Sequence, residues 1–350
     1  MGRAAKIAGA VLAGIVLVLI IAWFAMRRPD IPYAKLEAKY GTAASRYVDL
    51  PGGLHVHYQD QGNPKGPVLV LVHGFFVNLD TWKPWVRRLG NDYRIVTLDL
   101  PGHGLTRAPA GYHPTLAGYV QTLDDFVSAE HINKFTLGGW SLGGDIAWRY
   151  AAAHPDKLNG LILIGASGWP DTRPNSEREK ALAIMQSPFG RFMARNLDQT
   201  KRVHDAFMDT YANQKFVTEE LVTKYTELGR APGHRDAIVD VAVDMNTGAG
   251  GWATPEKLAA VATPTLILQG GKDKLVPPAN ASKYAASIKG SRLIVYPNAG
   301  HALQEEDADQ SAADVRAFLK SLQPAAKKKG PPTSTKSSNA GRNPNTTIFY

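Results

Sequence analysis

Five residues, Gly139-Trp140-Ser141-Leu142-Gly143, join the apolar run Phe135–Gly138 to a helical run reaching about His154. A serine on such a strand-to-helix turn is held in a strained conformation. Glycines are needed on both sides, because a β-carbon there would clash with the neighbouring strand and helix. The turn lifts the hydroxyl above the sheet and sets it at a helix N-terminus, where the dipole favours negative charge. This is the setting of a nucleophile. A neutral serine also needs a base, and the base needs an acid to orient it. Asp273 ends Gln269-Gly270-Gly271-Lys272-Asp273, directly after the apolar strand Thr265–Leu268. His301 ends Asn298-Ala299-Gly300-His301, directly after Leu293–Tyr296. Both then sit on loops at the carboxyl edge of a parallel sheet, the edge that carries Ser141. The other reading of Asp273 is a loop acid that binds local backbone amides.

Attack on a carbonyl creates an oxyanion, which needs two donors. The amide of Leu142 is the expected first donor. The second is the amide of Phe75, on the loop His73-Gly74-Phe75-Phe76 after the strand Val68–Val72. Gly74 lets that backbone approach, and His73 reads as a residue that fixes the loop. His55, His57, His113, His131, His154, His204 and His234 read as surface or packing residues.

These residues require a scaffold of alternating strands and helices. Arg46–Leu50 and Leu54–Asp60 read as an antiparallel pair turning at Pro51-Gly52-Gly53. Short β-rich runs follow at Val68–Val72, Arg94–Leu98, Phe135–Gly138, Leu161–Ile164, Thr265–Gln269 and Leu293–Tyr296. Several are apolar without alternation, as strands buried on both faces are. Leu116, Tyr119, Val120, Leu123, Phe126 and Val127 form a helical core stripe. The pattern is that of a doubly wound α/β sheet. It is interrupted over 167–254 by helical sequence rich in Met, Phe and Tyr, too long for a connection and read as a helical cap over the site.

The chain's charge belongs to its ends. The formal charge is +9, yet residues 1–28 and 324–350 hold nine basic residues and no acids, which leaves 31 basic against 31 acidic residues in 29–323. A nucleic-acid binder is therefore excluded. With no cysteine, disulfides, thiolate metal sites and a cysteine nucleophile are excluded too. No His/Asp/Glu cluster has metal-ligand spacing, Gly270-Gly271-Lys272 lacks the rest of a phosphate-binding loop, and no cofactor or metal is expected. Ile7–Met26 is an uncharged run of 20 residues, long enough as a helix to span roughly 30 Å of hydrocarbon. It exceeds a signal-peptide core and lacks an A-x-A-like cleavage site, so it reads as a retained anchor. Basic residues flank both of its ends, a count that slightly opposes an outward-facing domain. The short basic lead before the apolar run is that of an uncleaved signal anchor, which puts the catalytic domain on the extracytoplasmic side. The expected organisation is an anchor over 1–28, a linker over 29–45, a core over 46–166 and 255–323 split by the cap over 167–254, and a disordered basic tail over 324–350.

From about residue 46 to 322 the chain resembles the α/β-hydrolase superfamily. The His73-Gly74 loop, Asp99-Leu100-Pro101-Gly102-His103-Gly104, the serine elbow, the Asp273 loop and Gly300-His301 stand in family order. The resemblance implies a mostly parallel eight-stranded sheet with helices on both faces and a helical lid, and treats Asp99 and His103 as structural. With the anchor included, the chain is most similar to membrane-anchored bacterial lipases and esterases akin to monoacylglycerol lipases of the ABHD6 type, with Trp140 and Leu142 in place of the commoner His and Met. The expected activity is hydrolysis of lipophilic carboxylic esters through an acyl-enzyme on Ser141. Phe76, Trp140, Phe189, Phe192, Met193 and Phe207 are expected to contact the substrate. The alternatives are a carbon–carbon or amide hydrolase with the same triad, and a non-catalytic ligand-binding protein on this fold. Ala302 after the histidine lowers the carbon–carbon reading, since those hydrolases usually carry Trp there.

Overall fold

The computed structural model describes residues 2–172, 180 and 183–323. Eight strands form one sheet: β1 (Ser45–Leu50), β2 (Leu54–Gly62), β3 (Val68–Val72), β4 (Arg94–Leu98), β5 (Phe135–Trp140), β6 (Leu158–Ile164), β7 (Thr265–Gly270) and β8 (Arg292–Tyr296). Their order is β1-β2-β4-β3-β5-β6-β7-β8. The first two strands are antiparallel to their neighbours, and β3 to β8 run parallel. The sheet alternates its side chains between two apolar layers. Val70 and Val72 face α4 (Leu116–Ala129) and α5 (Leu142–Ala153), while Leu69 and Leu71 face α3 (Lys83–Leu89) and the C-terminal helix. Both faces are covered, which is why the central strands read as unbroken apolar runs.

The apolar stripe read on α4 is largely internal, with Leu116, Tyr119, Leu123, Phe126 and Val127 buried. Thr115 caps that helix by accepting a hydrogen bond from the Gly118 amide. Between β6 and β7 lie the cap helices α6 (Pro188–Asn196), α7 (Thr200–Thr210), α8 (Glu219–Leu228) and α9 (His234–Thr247), followed by the short α10 (Pro255–Ala259). Val203, Phe207, Tyr225 and Leu228 of the cap join the second apolar layer. Tyr225 Oη also donates to Asn78 Oδ1 of the core at 3.0 Å.

Two expectations need correction. Residues 29–45 are not a plain linker: they contain α2 (Tyr33–Tyr40), whose Leu36 is fully buried in the second layer. Leu36 has no periodic partners long enough to announce a helix, and its burial depends on groups far along the chain. The strand before the elbow also runs to Trp140 rather than stopping at Gly138. The expected tail at 324–350 lies outside the described residues. At the other end, α1 (Arg3–Met26) contains a stretch, Lys6–Met26, long and apolar enough to cross a membrane, with mean hydropathy 2.8 and none of it buried against the protein.

Candidate active site

Ser141 occupies the turn between β5 and α5 with φ 55° and ψ −114°. Only three non-glycine residues among those described have positive φ, and two of them, Ser141 and Phe76, sit here. Each such conformation costs about 1–3 kcal/mol, so the surroundings must enforce it. They do so by close packing. A β-carbon on Gly139 would lie 2.0 Å from Gly143 O, and one on Gly143 would lie 2.2 Å from Val72 O. Larger residues would push the turn off the sheet.

The loop after β3 lies against this turn: a β-carbon on Gly74 would be 3.2 Å from Ser141 Cβ. His73 holds the loop, with Nδ1 donating to Gly74 O at 2.7 Å and Nε2 accepting from the Leu100 amide at 2.9 Å. Burial depresses the proton affinity of His73, which suits a neutral ring with one donor and one acceptor. Leu142 is the first residue of α5, where an amide has no partner within the helix. Phe75 follows Gly74 on the neighbouring loop and lines the same cavity as Ser141.

His301 and Asp273 come from loops after β8 and β7. Their side chains are almost wholly buried, and His301 Nδ1 lies 2.7 Å from Asp273 Oδ2. The nitrogen must be the donor, since an ionised carboxylate only accepts. Asp273 Oδ1 accepts from the Leu275 and Val276 amides at 2.9 and 2.8 Å. Asp273 is thus both the partner of His301 and a binder of local amides, so the two readings of that residue are compatible. Gln269 Nε2 donates to Asp273 Oδ2 at 3.1 Å. Gln269 was not singled out in the sequence; its signal is a polar side chain closing an otherwise apolar strand.

Ser141 and His301 face one cavity of about 810 Å³. Its wall includes Phe75, Phe76, Trp140, Val203, Phe207 and Met245. Trp140 also donates from Nε1 to the His301 carbonyl at 2.9 Å, beneath the site. The other three residues expected at the substrate are not on this wall. Phe189 and Phe192 are exposed, Phe192 stacks on Trp23 of α1 with ring centroids 5.2 Å apart, and Met193 is half-buried beside them. Phe192 thus packs on α1, and none of the three lines the cavity.

Asp145 on α5 lines the cavity and is buried. Burial raises its proton affinity, opposed by Arg149, whose Nε lies 2.9 Å from Oδ1. Asp99 and His57 form a second buried pair at 2.7 Å, away from the cavity. Asp99 Oδ1 accepts from the Leu79 amide and Oδ2 from the Leu105 amide, so this pair ties loops together. His103 is buried in the ring cluster with His73 and Phe75.

Beyond α11 (Pro278–Ser287) and β8, the chain after His301 forms α12 (Leu303–Glu306) and then the C-terminal helix α13 (Ala308–Ser321). Burial pushes the Glu305 carboxyl from its usual 4.5 up to about 7, while hydrogen bonds from Thr81 and Tyr211 and the charge of Lys224 pull it down. A raised acid binds a proton in the folded chain that the unfolded chain has released. Stability from this group is therefore greatest at low pH and is lost as pH rises from about 4.5 to 7. The limit is roughly 3 kcal/mol, reduced by the edge that Glu305 keeps open to water. Glu305→Gln is expected to flatten the fall in melting temperature between pH 5 and 8 and to match or exceed the parent at pH 8. Thermal scans across that range decide it; an unchanged slope rejects the assignment.

A family described as alpha/beta hydrolase fold matches residues 67–308, more than half of the chain. The chain belongs to this family. Among this α/β hydrolase's relatives, monoacylglycerol lipase abhd6-B of Xenopus laevis is 26% identical over 287 residues, covering 77% of this chain and 84% of that protein. The crystal structure of a bacterial membrane phospholipase A superposes with TM-score 0.69 at 24% identity, covering 91% of this chain and 100% of that one. A meta-cleavage product hydrolase of Pseudomonas fluorescens superposes with TM-score 0.66 at 21% identity, over 79% and 98% of the two chains. Likeness at these identities establishes the shared fold. The lipase relatives support ester hydrolysis as the general activity.

Proposed function

We propose that this α/β hydrolase is a membrane-anchored serine hydrolase of lipophilic carboxylic esters, of the monoacylglycerol type. The observation that carries the reading is that His301, paired with the buried Asp273, opens with Ser141 on one largely apolar cavity. Ser141 Oγ attacks the ester carbonyl, and His301 Nε2 takes its proton. Asp273 keeps the Nδ1 proton in place and stabilises the imidazolium. The amides of Leu142 and Phe75 receive the oxyanion. Collapse expels the alcohol, which takes the proton from His301 and leaves an acyl-enzyme on Ser141. Water activated by His301 then releases the acid.

The cavity is large enough for an acyl chain. Arg28 N donates to Asn196 O at 2.7 Å, and Arg27 pairs with Leu197, so the end of α1 is stitched to the cap. Ile184, Phe189 and Phe192 are exposed next to it. In this reading α1 is the anchor, these side chains face the same bilayer, and the domain stands on the extracytoplasmic side. No metal or cofactor takes part in the steps.

The test compares p-nitrophenyl esters of graded chain length with a ring-cleavage ketone, using full-length protein in detergent. Ester turnover that rises from short to medium chains, with little ketone cleavage, is expected. Preferential ketone cleavage would replace the ester reading with that of a carbon–carbon hydrolase. Absence of labelling by a fluorophosphonate on folded protein would favour a ligand-binding role.

A further inference from the structure

The backbone of the histidine loop is held by the cap as well as by the core. His301 N donates to Thr210 O at 2.8 Å, and Thr210 is the last residue of α7. The preceding amide, Gly300 N, donates to Glu306 Oε2 at 2.5 Å. The other oxygen of the same carboxylate, Oε1, accepts from Asn213 N of the cap at 2.7 Å. Two consecutive amides of the loop that carries the histidine are therefore satisfied by the cap or by a carboxylate bound to the cap. On the other side of the loop, the His301 carbonyl accepts from Trp140.

These contacts differ in kind from those of a cover. A lid that only encloses substrate could lift without disturbing the residues below. Here, moving Thr210–Asn213 away removes the partner of the His301 amide and one of the two amides on Glu306. A buried amide without a partner is costly, so the loop would rearrange. A carboxylate accepting from two backbone amides makes charge-assisted bonds, stronger than neutral ones, and fixes both segments at once. At its other end, α7 begins just beyond Asp198, which pairs with Arg28 at 3.0 Å. The helix thus runs from the exit of α1 to the histidine loop.

We propose that Glu306 is a positioning residue that joins the histidine loop to the cap, so that His301 reaches its working geometry only while Thr210–Asn213 are seated. This rests on the proposed role of His301 as base. Glu306 touches neither substrate nor the reacting atoms and acts through the loop. Glu306→Gln keeps size and one oxygen, but its amide group confronts one of the two backbone donors.

The experiment measures kcat, KM, folding and the low-field NMR resonance of the His301 Nδ1 proton. In Glu306→Gln, kcat is expected to fall about tenfold or more with KM changed by less than about threefold, and the resonance to broaden. A folded variant with kcat within about twofold of the parent, or one in which only KM rises, overturns the proposal. Should Glu306→Gln not fold, Asn213→Pro is compared with Asn213→Ala. Both remove the side chain, and only proline removes the amide proton. A kcat for Asn213→Pro about threefold or more below that of Asn213→Ala supports the coupling, and equal values overturn it. If the parent shows neither ester turnover nor fluorophosphonate labelling, the proposed function fails. The resonance then decides the coupling: broadening in a folded variant supports it, and an unchanged signal rejects it.

Discussion

Ser141→Ala is expected to lower ester turnover by about 10³-fold or more, and to remove fluorophosphonate labelling altogether. The loss should fall on kcat, because the substituted atom forms a bond in the reaction while the cavity wall stays intact. Folding should change little. Alanine has the same β-carbon, so the close contacts of the turn and the strained φ of 55° are inherited. The energy that enforces this strain comes from the packing of Gly139 and Gly143 against neighbouring backbone, which the substitution does not touch. The decisive comparison is activity and labelling of parent and variant, both shown to be folded by circular dichroism. A folded Ser141→Ala that retains the parent's turnover would remove the nucleophile from the proposed mechanism and require a different attacking group in the cavity.

The sheet was readable in the sequence wherever burial and chain chemistry agree. Val68–Val72 and Ile95–Leu98 are unbroken apolar or β-branched runs, and the strands Val68–Val72 and Arg94–Leu98 have the limits read for them. Leu161–Ile164 was the visible part of a strand that begins at Leu158, because Asn159 and Gly160 interrupt the apolar pattern and the register shifts at Asn159, which lies between the partners of Phe135 and Thr136. The order of the serine, acid and histidine loops was also readable, since each follows a recognisable strand. The contact between His301 and Asp273 joins residues 28 positions apart that no local pattern places together. Amphipathic patterning was less informative in the cap. It marks an apolar face without saying what covers it, so Phe207, on the cavity wall, and Phe192, stacked on Trp23, look alike in sequence. Glu306 was hidden for a related reason. In Gln304-Glu305-Glu306-Asp307 it looks like one more solvated acid, and only the fold brings Asn213 to it.

Asp273→Asn is expected to reduce kcat by about 10⁴-fold, with a much smaller change in KM. The reason lies in the number of donors around one carboxylate. Oδ1 accepts from two backbone amides, and Oδ2 accepts from Gln269 Nε2 and His301 Nδ1. Asparagine has a single acceptor oxygen. With that oxygen on the Leu275 and Val276 amides, its NH₂ group faces His301 Nδ1. That nitrogen must then accept, so the ring proton moves to Nε2, the nitrogen required to take the proton from Ser141. The geometry survives while the base is in the wrong tautomer. The same substitution sets the amide against Gln269 Nε2, so a modest loss of melting temperature should accompany the kinetic loss. Steady-state kinetics on a medium-chain ester, with thermal scans of both proteins, measure the two effects. Retention of more than about a tenth of the parent's kcat would mean that Asp273 serves the loop amides alone and that His301 is oriented by another group.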